Sequence, residues 1–172
     1  MAGRHKRTAR IQWLCCIGIV LLLLAFTMFV WFAPLRISGN AMAPTLIDGE
    51  IVFFNRIYKH VKSLERGEMI VYKDGNGQTQ VGRIIALSGE TAEIIEGEVR
   101  INNRYRADES DYVDFAEFNM AATEVEYNCV LVLFDSRSLY QDGSAYPAQV
   151  SLNDVVGVVQ FSLTFFEFFT NG

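Results

Sequence analysis

The sequence predicts a mostly β domain carried behind one N-terminal transmembrane helix. Three observations predict it. Ile11 to Ala33 is an uncharged run of 23 residues. Beyond it, short β-branched and aromatic runs alternate with turns rich in Gly, Asn and Asp. No stretch after residue 36 carries a sustained helical period. At 172 residues and 51% apolar composition, the chain has enough material for one packed domain beside the helix.

Residues 1–10 form a basic tail, with Arg4, Lys6, Arg7 and Arg10 and no acid. The run 11–33, at about 1.5 Å per residue, covers a hydrocarbon core of about 30 Å. Trp13 and Trp31 lie near its two ends, where amphipathic rings favour the headgroup region. The bases before the run predict a cytoplasmic N-terminus, a single pass through the cell membrane, and an extracytoplasmic domain over 36–172. A cleaved signal peptide is the competing reading. The run is too long for a signal h-region of about 7–15 residues, and no clear A-x-A site follows. Pro34 is expected to end the helix, because its ring cannot continue the hydrogen-bond ladder.

After residue 10 there are 11 basic and 20 acidic side chains, which argues against nucleic acid as a partner. Cys15 and Cys16 lie in the apolar run and Cys129 stands alone, so no intramolecular disulfide is expected outside the membrane. No His/Cys cluster has metal-ligand spacing, and no cofactor is expected.

The domain reads as strands in order. Glu50 to Asn55 follows the Asp48-Gly49 turn, and Glu68 to Lys73 follows a polar loop ending at Gly67. Asp74-Gly75-Asn76-Gly77 is a dense hairpin signal leading into Thr79 to Leu87. Thr91 to Ile95 and Glu98 to Ile101 make a further hairpin, closed off by Asn102-Asn103. A variable, cap-like insertion is expected over 103–127. It is acidic and interleaved with aromatics, and Asp111, Tyr112, Phe115 and Phe118 are its candidate partner surface.

Three motifs carry a resemblance. In Gly39-Asn40-Ala41-Met42-Ala43-Pro44-Thr45-Leu46, followed by Gly49-Glu50, the register is that of G-x-S-M-x-P-T-L-x-x-G-D. Val81-Gly82-Arg83-Ile84-Ile85-Ala86-Leu87-Ser88-Gly89-Glu90 follows V-K-R-I-I-G-L-P-G-D. Phe134-Asp135-Ser136-Arg137, with Tyr140 and Asp142 beyond, follows G-D-N-R-x-x-S-x-D. Together these resemble the bacterial type I signal peptidases, which act through a Ser/Lys dyad. The resemblance implies that family's β fold, a core domain with a small cap insertion.

It also implies where the chemistry should sit, and there the chain departs from the family. The nucleophilic serine position is Ala41, the general-base lysine position is Gly82, and the supporting serine position is Tyr140. Ser/Lys catalysis needs a nucleophile and a neutral amine within hydrogen-bond reach, so the expectation is a chain that is not an enzyme. An engineered Ser→Ala is the competing reading for Ala41, but it would not account for Gly82 or Tyr140. Rescue by Ser38 or Ser88 with Lys73, His5 or His60 is the enzymatic alternative, a residual signal peptidase that cleaves secreted preproteins.

In active relatives an extended peptide adds as a strand beside the dyad. The expected binding groove here is therefore formed by Ile37, Gly39, Asn40, Ala41, Met42, Ile70, Tyr72, Gly82, Phe134 and Tyr140, with Arg36–Asn40 and Met69–Lys73 as its strands. Phe134 and Tyr140 are expected to fill part of it. The chain is similar to the non-catalytic signal-peptidase-like proteins of Gram-positive sortase-assembled pili. That similarity implies a chaperone or adaptor for pilus assembly, with pilin subunits or the pilus sortase as partners. A structural membrane-surface domain is a third reading, and the run Phe161 to Phe169 could serve the core, the membrane or a partner.

Overall fold

The structure is a computed structural model that describes residues 2–58, 62–96, 98–105, 118–136 and 147–163. It divides into two units, Met1–Ala33 and Pro34–Gly172. The first is built on helix α1, Ala2–Trp31. Of its side chains, those of residues 13–24, 26, 27 and 31 are described, and all are exposed. Among the described residues no helix is long and apolar enough to cross a membrane, so the expected span is not established by the fold. The helix stops at Trp31, three residues short of Pro34. The residue before a proline is driven out of the α region, and here the chain turns extended one step earlier still.

The rest is mostly β, as expected. Eleven strands are described: β1 Phe32–Arg36, β2 Ile51–Asn55, β3 Met69–Lys73, β4 Thr79–Ala86, β5 Thr91–Ile95, β6 Glu98–Ile101, β7 Arg104–Tyr105, β8 Met120–Glu124, β9 Cys129–Leu133, β10 Ala148–Ser151 and β11 Val155–Leu163. They form a seven-stranded sheet in the order β1-β2-β11-β3-β4-β9-β10 and a four-stranded sheet in the order β7-β6-β5-β8. Pro34 lies in β1, at the sheet edge where a missing N–H breaks no ladder.

The second sheet is an excursion between β4 and β9, which are themselves neighbours, with Arg83 opposite Leu133 and Ile84 opposite Val132. It starts at Thr91 and so takes in β5 and β6, upstream of the expected insertion at 103–127. Its inner residues Ala92, Ile94, Val99 and Ile101 pack on Ile85, Leu131 and Leu133 of the larger sheet. Burying such side chains supplies roughly 1.5–3 kcal/mol each. On the other face of the large sheet, Ile70, Tyr72, Ile84, Val130, Val132, Val150, Val155 and Val158 form a separate cluster.

Gly157 of β11 leaves room for close strand packing. A Cβ there would sit 2.5 Å from the Asn55 carbonyl oxygen and 2.7 Å from Phe54 Cδ2. Further along β11, Phe161 stacks on Phe53 with ring centroids 5.0 Å apart while staying half exposed. The phenylalanines beyond Leu163 lie outside the described residues.

Candidate functional site

The segment after β1 is fixed by short-range hydrogen bonds. Ile37 N–H donates to the Glu50 carbonyl (2.8 Å), and Gly49 N–H donates to the Ile37 carbonyl (3.0 Å). Gly39, at φ +82°, donates its N–H to Asp48 Oδ1 (2.7 Å). A turn containing the cis Ala43–Pro44 peptide follows, in which Leu46 N–H reaches the Met42 carbonyl (2.9 Å). Met42 and Leu46, at the two ends of that bond, are both buried and pin the turn to the domain.

Ala41 sits at the start of this turn, and its carbonyl accepts the Ser136 N–H (2.9 Å). The preceding residue, Asp135, holds Arg83 in a buried pair, with Nε to Oδ1 at 2.9 Å and Nη2 to Oδ2 at 2.5 Å. Arg83 also donates to the Gly67 carbonyl (2.8 Å) and to Thr45 Oγ1 (3.4 Å). One chain of contacts thus ties the Ala41 turn to the strand carrying Gly82.

Gly82 leaves no space for a lysine. A Cβ there would meet Val132 Cγ1 at 2.4 Å, the Leu133 carbonyl oxygen at 3.3 Å and Tyr72 Cε1 at 3.5 Å. The Tyr72 ring covers the glycine from the neighbouring strand, an arrangement that shields a backbone lacking its own side chain. Burial, aided by the nearby Asp74 carboxylate, pushes the Tyr72 hydroxyl up to about 12. The folded state favours the neutral phenol, so its contribution is complete below about pH 10 and is lost as pH rises towards 12. Tyr72→Phe is expected to remove that alkaline loss, about 2–3 kcal/mol, in urea titrations at pH 9 and pH 12. Equal slopes of stability against pH for the two proteins would contradict this.

An open cleft of about 80 Å³ runs beside the Ala41 turn. It is lined by Leu35 to Gly39, Ala41 and Met42 on one wall and by Thr79, Gln80 and Val81 on the other. The second wall is a half-free strand edge. Gly67 N–H bonds to the Ile84 carbonyl and Ile84 N–H to the Glu68 carbonyl, so Ile84 faces its backbone groups towards β3. By alternation Gly82 and Gln80 do the same, and Val81 and Thr79 face the other way. On that side the ladder with β9 reaches only to Arg83 opposite Leu133. Among the described residues, no second strand covers Thr79–Gly82.

Several expected site residues are placed differently. Ile37, Gly39, Ala41 and Met42 line the cleft, whereas Asn40 is exposed beside it. Ile70 and Tyr72 do not line it; they lie in the interior cluster with Ile84 and Val132. Arg36–Asn40 is not a strand past Arg36, and the opposing wall is the start of β4 rather than β3. Phe134 and Phe118 pack against the cluster between the two sheets, so neither fills the cleft. Tyr140, Asp111, Tyr112, Phe115, His60, Arg137 and Asp142 lie outside the described residues. The expectation missed Leu35, Thr79, Gln80 and Val81, although the run Thr79–Val81 directly before Gly82 was the available signal.

Of the rescue candidates, Ser38 lines the cleft, Ser88 is engaged elsewhere, and Lys73 is held at the cleft's edge. Ser88 Oγ donates to the Glu126 carbonyl and accepts the Asn128 N–H, both at 3.1 Å. Lys73 Nζ donates to Thr79 Oγ1 (2.6 Å) at an exposed position.

Comparison with known proteins agrees with the motifs. The chain is 26% identical over 174 residues to signal peptidase I P of Bacillus subtilis subsp. natto, covering 95% of this chain and 92% of that protein. It is 32% identical over 99 residues to signal peptidase I of Bacillus amyloliquefaciens, a match that covers 58% of this chain and spans about half (53%) of that protein's length. A solved signal peptidase I from Enterococcus faecalis aligns at 22% identity and a TM-score of 0.45, covering 58% of this chain and 98% of that one. The pattern of the family described as signal peptidase, peptidase S26, matches residues 10–164. By the extent of that last match, the chain belongs to the S26 signal peptidase family.

Proposed function

We propose that the chain is a membrane-anchored signal-peptidase homologue that holds an extended segment of a secreted protein without cutting it. The carrying observation is the cleft between Leu35–Met42 and Thr79–Val81, with a β4 edge that no second strand covers among the described residues. A strand entering it would take backbone hydrogen bonds from Val81 and Thr79, and its side chains would face Ala41 and Met42. The absence of cutting rests on Ala41, which has no hydroxyl, and on Gly82, which has no amine. The cellular setting, assembly of sortase-polymerised pili with pilin subunits or the sortase as partners, rests on the likeness to non-catalytic family members.

Helix α1 is the anchor in this reading. Its side chains from Trp13 to Leu24 are almost all apolar and exposed, a surface that lipid accommodates and water does not. The helical part of the uncharged run, 11–31, is about 32 Å long, and the bases before it favour a cytoplasmic N-terminus.

The test is crosslinking in cells with a photoreactive residue at Ala41 and another at Phe115, against an anchor-only control. Capture of pilin or sortase is the expected result. Capture of many unrelated preproteins at Ala41 would replace the adaptor with a general secretion role, and no specific product at either site would remove it. The relatives' names favour a second reading, an active signal peptidase. Cleavage of a preprotein by the purified chain in detergent would establish that reading and end the non-cutting one.

A further inference from the structure

We infer that the cleft selects acidic extended segments, with Arg36 at one wall and Lys73 beside the other as the groups that meet their carboxylates. The inference rests on the holding role proposed above and names the chemistry of the occupant. It starts from how the domain's cations are used. Arg66 pairs with Glu90, Arg83 with Asp135, Lys62 with Glu65 and Arg100 with Glu98. Arg36, Arg56, Lys73 and Arg104 are exposed and pair with no carboxylate among the described residues; of these, Arg36 lines the cleft and Lys73 reaches its Thr79.

Arg36 lines the cleft at the end of β1, and its Nη2 lies 3.6 Å from where a Gly49 Cβ would stand. The Lys73 ammonium is held by Thr79 Oγ1, a cleft residue, at 2.6 Å. Two acids flank the cleft without lining it and are held by turns: Asp48 Oδ1 accepts the Gly39 N–H, and Asp74 Oδ1 accepts those of Asn76 and Gln78. No other cleft residue is charged.

In a domain with 20 acids, the described lining of the cleft holds one arginine and no acid. An acidic strand docking there would meet Arg36 directly and Lys73 beside Thr79. Charge then decides which segment docks and in which register, while the backbone bonds supply the general affinity. Each exposed pair is expected to favour the acidic segment by up to about fivefold, and less at high salt.

The experiment pans a display library of short randomised segments against the full chain in nanodiscs at low salt. Enrichment of Asp and Glu is expected, and Arg36→Glu with Lys73→Glu should turn it into enrichment of Lys and Arg. Enrichment without acid preference, or unmoved by the charge swap, would overturn the selectivity and leave the holding role intact. Two further probes test that role itself. Val81→Pro removes an N–H that faces away from β3 and meets no strand among the described residues, and N-methylation of alternate amides in the best segment blocks the same bonds without altering the protein. If nothing is enriched, or if binding survives both changes, the holding role fails together with the selectivity.

Discussion

Gly82→Lys is expected to destabilise the domain by several kcal/mol and to restore no peptidase activity, alone or with Ala41→Ser. The first carbon of the new side chain would stand 2.4 Å from Val132 Cγ1, well inside any tolerable contact. Val132 cannot yield easily. It is buried in the middle of β9, opposite Ile84 on one side and Ala148 on the other. Overpacking of this kind costs about 1–3 kcal/mol. Lysine adds an amine among Ile84, Val130 and Val150, which have nothing to offer it. Gly82→Ala isolates the packing part, and pairing it with Val132→Ala should recover much of that part. Urea unfolding checks the stabilities, and preprotein cleavage in detergent checks the activity. If the Ala41→Ser, Gly82→Lys protein is as stable as the parent and cuts, the lysine space was open after all.

Asp135→Ala has the second large effect, an expected loss of about 3–5 kcal/mol. The cost comes from the partner left behind. Arg83 is 5% exposed, and without the carboxylate its charge stays buried, with the Gly67 carbonyl and the Thr45 hydroxyl among the contacts that remain. Replacing both members, Arg83→Met with Asp135→Leu, should be much milder because no charge is then stranded. The loss should also reach the cleft, since Ser136 N–H fixes the Ala41 carbonyl one residue away. Crosslinking at Ala41 should fall more steeply than global unfolding accounts for. A single-mutant cost below about 1 kcal/mol would mean that water already compensates Arg83.

The strands legible in the sequence were those with β-branched, buried runs between turn signals. Met69–Lys73 and Thr79–Ala86 are buried at consecutive positions, and Thr91–Ile95 alternates. Met120–Glu124 was not legible, because it is short, rich in alanine and mostly exposed, so neither propensity nor alternation marks it. Phe32–Arg36 was hidden by Pro34, which reads as a helix stop and is tolerated only because the strand lies at an edge. The positions of Ala41 and Gly82 could be read from the motifs alone. Which neighbours face the cleft could not. That depends on which backbone groups of β4 turn towards β3, fixed by Gly67 and Glu68 sharing Ile84 across the ladder, a contact set by pairing and not by local composition.

The place of β11 has a consequence in time. The strand nearest the end of the described chain lies between β2 and β3, pairing Val158 with Asn55 on one side and with Ile70 on the other. Until residues 155–163 have been synthesised, β2 and β3 each present a bare edge, and no strand pairing joins the two parts of the large sheet. The wall made by the end of β1 and the Ala41 turn and the wall made by β4 therefore lie on parts of the sheet that this strand pairs together. They are locked in place only when the last strand slides in, so assembly is slow, nonlocal and nearly all-or-none. A chain interrupted before Val155 exposes two sticky margins instead of a partly working groove, which makes such fragments natural targets for quality control.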